Sequence, residues 1–72
     1  MTSTLIELDA SGHTELTWEQ GTASERDARL TFETLRDAGY RGDVKRDGEW
    51  ETIHEFDPTA DAIVMSRQTV GG

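Results

Sequence analysis

The side chains able to do chemistry in this sequence are few and dispersed. The two histidines, His13 and His54, fall on different predicted strands, and a metal held between them would lack a marked third ligand. Carboxylates lie in close pairs, Glu7/Asp9, Glu25/Asp27, Glu49/Glu51 and Asp57/Asp61, but 15 acids among 72 residues make such pairs a matter of chance. A general acid needs a buried, perturbed carboxyl in a cleft, and ligand pockets start at roughly 300 Å³, which a chain this short scarcely builds. No independent catalysis, no metal site and no cofactor are expected. Asp57-Pro58-Thr59-Ala60-Asp61 lacks the oxygen spacing and closing Glu of a calcium loop and reads as a turn. There is no G-x-G-x-x-G, no Walker loop and no G-x-S-x-G, and without Cys there is no thiol nucleophile and no disulfide.

The remaining chemistry lies at Gly71-Gly72. Lacking Cβ atoms, a terminal Gly-Gly is thin enough for its carboxylate to enter a narrow channel in another protein. There the carboxylate can attack the α-phosphate of ATP and become an acyl-adenylate. A thiol, sulfide or amine then displaces the nucleotide. A bulky side chain at either position would block that approach.

Such a terminus needs a scaffold, and the periodicities describe one. Thr4, Ile6 and Leu8 alternate on one face of a first strand. Asp9 to Gly12 is turn chemistry, and Thr14, Leu16 and Trp18 alternate on a second strand, which together predict an antiparallel hairpin. Thr22 with Glu25 three residues on forms a capping box. Ala28, Thr31, Phe32, Leu35 and Ala38 then share a helical face and predict a helix over 23–38, with Leu30 off the stripe. Gly39 suits the helix end. Asp47-Gly48, among the strongest short hairpin signals, joins Asp43–Arg46 to Glu49–Phe56. In that last segment Trp50, Thr52, His54 and Phe56 share a face opposite Ile53. Asp57 to Ala60 is a turn, and Ala62–Arg67 is a last strand with Ile63 and Met65 opposite Val64. The order β-β-α-β-β-β predicts an α+β fold, a single mainly antiparallel or mixed sheet packed on one helix. Residues 1–67 are expected to form one small domain and 68–72 a flexible Gly-Gly tail.

These elements followed by Gly71-Gly72 resemble the ubiquitin-like β-grasp superfamily. The likeness is to its sulfur-carrier branch: the molybdopterin-synthase small subunit, the thiamine sulfur carrier and the small archaeal modifiers. Asp61-Ala62-Ile63-Val64-Met65 and the tail Ser66-Arg67-Gln68-Thr69-Val70-Gly71-Gly72 have a register similar to that branch. The resemblance implies that Gly72 supplies the activated carboxylate and Gly71 the slender approach. Val70, as an apolar anchor, and Arg67 would contact the partner, an activating enzyme or a sulfurtransferase. For a modifier, side-chain-linked chains would join at Lys45, the only lysine. Two departures stand out. Arg67-Gln68 occupies the place where molybdopterin-type tails often carry a Pro pair, and Tyr40–Phe56 has no family pattern.

Composition narrows the partners. A net charge of −8 with scattered Lys and Arg disfavours nucleic acid and anionic membrane surfaces. No apolar run approaches the roughly 20 residues of a membrane span, and Met1–Thr4 does not resemble a signal peptide, so a cytoplasmic protein is expected. Acidic and Lys-poor composition suggests a halophile or a high-GC genome. The alternative function is a small acidic interaction domain, an accessory subunit or regulator, whose Gly-Gly end is incidental. It would dock a partner through the sheet face or the Leu30 flank, and two strand edges with an acidic surface would suit a basic partner or a homodimer.

Overall fold

A computed structural model describes residues 2–9 and 12–67. Strands β1 (Thr2–Asp9) and β2 (Gly12–Glu19) precede helix α1 (Ala23–Asp37), and β3 (Tyr40–Arg46), β4 (Glu49–Ile53) and β5 (Ala62–Arg67) follow it. The sheet order is β2-β1-β5-β3-β4. β5 lies between β1, to which it is parallel, and β3, to which it is antiparallel; both hairpins are antiparallel. The result is a five-stranded mixed sheet on one helix, an α+β architecture compatible with a β-grasp-like fold. Among the described residues no helix is long and apolar enough to cross a membrane.

The core lies between α1 and one face of the sheet. Ala28 and Phe32 of the helix meet Leu5, Trp18, Val44, Ile63 and Met65, all buried, with Ala60 closing one end. Gly42 sits where Phe32 crosses β3. A Cβ there would lie 2.8 Å from Phe32 Cε2 and 3.1 Å from Met65 Sδ, so only Gly lets helix and sheet approach this closely.

The phase of β1 differs from the sequence expectation. Leu5, not the trio Thr4, Ile6 and Leu8, faces the helix, and Leu8 is exposed. Pairing decides the phase. Trp18 must be buried, and the register Ser3↔Trp18 and Leu5↔Leu16 carries Leu5 inward with it. A second difference concerns Phe56. β4 ends at Ile53, so Phe56 leaves the Trp50–Thr52 face and joins the core. Its ring centroid is 5.1 Å from that of Trp18 and 6.0 Å from that of Phe32, and the Arg29 guanidinium lies over it. Ile53, placed among glutamates by the sequence, packs against the core edge.

The helix starts where the spacing places it, but its capping box is rearranged. Thr22 is the N-cap without a side-chain cap hydrogen bond. Its hydroxyl donates instead to the Glu19 carbonyl (2.7 Å), and Glu25 accepts from Gly21 N–H (3.1 Å). The Asp47-Gly48 turn has the geometry its sequence demands, with φ of 50° and 82°.

Candidate interaction face

The side of the sheet away from α1 is left open. Register places Thr17, Thr4, Ala62, Lys45 and Trp50 in one row across it, and Glu15, Ile6, Val64, Asp43 and Thr52 in the next. An apolar stripe of Ile6, Val64 and Ala62 is half-buried among its neighbours. Trp50 at one side and Leu8 at the other are 56% and 43% exposed, well beyond what the core allows its own members.

Beside Trp50 a polar cluster is held in place. Arg41 Nε and Nη2 donate to Asp43 Oδ2 (3.2 and 3.1 Å), and Thr52 Oγ1 donates to Asp43 Oδ1 (2.7 Å). Both oxygens of the Asp43 carboxylate are therefore engaged. Arg41, Asp43, Trp50, Thr52 and Val64 line a shallow, open depression of about 480 Å³.

This cluster did not emerge from the sequence reading, yet its signal was present. Arg41 and Asp43 are two apart on a strand, hence on one face. A two-residue turn at Asp47-Gly48 sets Asp43 opposite Thr52, and the structure has that pairing.

The sequence-predicted site residues are spread out. Lys45 is exposed on the open face, paired in register with Ala62 and Trp50. Arg67 is exposed at the C-terminal end of the central strand β5, opposite Tyr40. Gly71, Gly72 and Val70 lie outside the described residues, as does the whole predicted tail 68–72. His13 is on edge strand β2 and His54 follows the opposite edge strand β4, with three strands between them, so they share no site. Among the described residues no three His, Asp or Glu side chains converge as metal ligands.

The acidic turn acts as a clasp. Asp57 Oδ1 accepts from Thr59 N–H (2.9 Å) and Thr59 Oγ1 (2.6 Å), and Oδ2 accepts from Arg46. Burial alone would raise the Asp57 carboxyl, but the Thr59 bonds and the Arg46 guanidinium outweigh it and hold the carboxyl below its usual range. Trp18 Nε1 donates to the Pro58 carbonyl (3.3 Å), tying the turn to the core. Compared with protein-family models, curated proteins and solved structures, the chain matches none.

Proposed function

We propose that the chain is a ubiquitin-like modifier or sulfur carrier, activated by adenylation at Gly72. The Gly72 carboxylate attacks the α-phosphate of ATP on a partner enzyme, pyrophosphate leaves, and a thiol, sulfide or amine then takes the acyl group and releases AMP. The protein is the cargo of that reaction and not its catalyst. The observation that carries the proposal is Gly71-Gly72 a few residues beyond Arg67, the last residue of the central strand of a β-grasp-like sheet. A central strand is braced on both sides, so Arg67 is a fixed point from which a short segment can be presented. Val70 would seat in the partner, and exposed Arg67 would meet its surface beside the channel.

The test is deletion of Gly71-Gly72 in the native cells. Loss of the phenotype that the full chain supports, with the truncated protein still folded, is the expected result. An unchanged phenotype would overturn the proposal.

A second function has its own support. Exposed Trp50 and Leu8 on an open sheet face suit a small interaction domain, an accessory subunit or regulator docking a protein. On that proposal the truncated protein still captures its partner, and Trp50→Ala abolishes capture.

A further inference from the structure

We propose that edge strand β4 takes up an extended segment of a partner protein as an added strand, and that this segment alternates basic with apolar residues. β4 has a neighbouring strand, β3, on one side only. The Asp47-Gly48 turn closes on the pair Arg46↔Glu49, which in a two-residue hairpin exchanges both backbone hydrogen bonds. Pairs alternate from there. Glu49, Glu51 and Ile53 bond toward β3, while the N–H and C=O groups of Trp50 and Thr52 point away from the sheet. All four residues from Glu49 to Thr52 are exposed. The opposite edge is different. At the end of β2 the Glu19 N–H donates to Ser24 Oγ (3.0 Å), and the Glu19 carbonyl accepts from Thr22 Oγ1 (2.7 Å), so the chain itself caps part of that edge.

The side chains of β4 select the occupant. Glu51 stands opposite buried Val44, so Glu49 and Glu51 lie on the helix side of the edge and Trp50 and Thr52 on the open side. An added strand has the same period of two. In an antiparallel arrangement the residues opposite Trp50 and Thr52 exchange hydrogen bonds with them, and their side chains lie beside the indole, which is 56% exposed. Apolar residues suit those places. The residue between them, opposite Glu51, belongs to a pair without hydrogen bonds, where side chains approach most closely. A lysine or arginine suits that place. Arg46, the neighbouring base, is ion-paired with Asp57 and stands 3.9 Å from Glu51, a loose contact.

Charge complementarity separates this occupant from the others. A second copy would bring its own Glu49 and Glu51 to the helix side of the same edge, and it carries −8. Residues 68–72 follow β5, which β3 separates from β4, and they include no base. A basic segment is attracted by the whole chain, but only one with period-two alternation places its charges at the glutamates and its apolar groups at Trp50 together. This inference rests on the interaction-domain reading, to which it gives a partner chemistry, and is independent of Gly72. If β4 takes no peptide while Trp50→Ala still abolishes partner capture, this inference fails and that reading stands.

The test is an NMR titration of the full chain with a synthetic peptide of about seven residues that alternates valine and lysine. Saturable binding is expected, with the largest amide shifts at Glu49–Ile53 and slowed hydrogen exchange at the Trp50 and Thr52 amides. N-methylation of the valines removes the donors that face β4 and should weaken binding by roughly tenfold or more, whereas N-methylation of the lysines should not. The same residues arranged in two blocks should bind as weakly as the valine-methylated peptide. Glu51→Lys should lose the lysine peptide and take up one that alternates valine and glutamate. Far-UV circular dichroism confirms that this variant, exposed at the changed position, keeps the fold. No binding up to about 1 mM peptide overturns the proposal. So do block and alternating peptides that bind equally, or shifts centred on another strand. Shifts at Glu49–Ile53 that follow protein concentration without peptide would assign the edge to a second copy and overturn it as well.

Discussion

At the residue scale, three positions have consequences larger than their size. Gly42 is the contact between Phe32 and β3, and with a Cβ this tightly opposed Gly42→Ala should cost about 1–3 kcal/mol by overpacking, read from urea denaturation. Asp57 sets a pH dependence. Its carboxyl is held below the usual range in the folded protein, so the clasp contributes stability above the unfolded-state value and loses it as pH falls through the folded one. Thermal scans from neutral pH into the acid range should show that loss, and Asp57→Asn should flatten it. Lys45 is the only lysine and is exposed on the open face. If the chain is a modifier, Lys45→Arg should abolish side-chain-linked polymers in anti-tag blots of cell extracts; polymers that persist would count against linkage there.

At the element scale, the β3–β4 hairpin depends on two torsions. Asp47 and Gly48 both have positive φ, and Gly48→Ala should destabilise the β3–β4 hairpin by about 1 kcal/mol, visible as a lower urea midpoint. The elements were legible in the sequence wherever one signal dominated: the Asp-Gly turn, the Ala28–Phe32–Leu35 stripe, and the alternation of Ile63 and Met65. The phase of β1 was not legible, because Thr4, Ile6 and Leu8 and the single Leu5 offer competing faces and only the pairing with Trp18 decides between them. Phe56 was misplaced because alternation was carried past Ile53, where the chain turns to bring the ring to Trp18. The capping box is present only in altered form: the Thr22 hydroxyl donates to the Glu19 carbonyl, and the Glu25 carboxylate accepts from Gly21 N–H, one residue before the N-cap. Of the candidate site, the Arg41–Asp43–Thr52 cluster was implied by turn register alone, whereas the exposure of Trp50 and Leu8 required the three-dimensional sheet.

At the scale of the whole molecule, shape and charge pull in opposite directions. The radius of gyration is 11.8 Å, close to the ~11 Å expected of a compact chain of this length, yet 15 acids stand against 7 bases. A domain this small buries only about 60% of its unfolded surface and has little stability to set against that repulsion. Several of the bases are committed to local pairs: Arg29 with Glu25, Arg41 with Asp43, Arg46 with Asp57. In each pair the arginine is about half exposed, so solvent screens the attraction, and screening of the remaining carboxylates should dominate the salt response. The urea midpoint should rise from low to molar NaCl; a midpoint that falls would show that attraction outweighs repulsion. Small size also bears on mechanism. On the proposal made for Gly72, the chemistry belongs to a partner, and this chain contributes the acyl group.

The most direct test of that proposal is mass spectrometry of the protein recovered from its native cells, on the intact chain and on its C-terminal peptide. The account predicts a fraction in which one oxygen of the Gly72 carboxylate is replaced by sulfur, or in which Gly72 is joined through an isopeptide bond to a lysine of another protein. A Gly72 that carries a free carboxylate under every growth condition would contradict it.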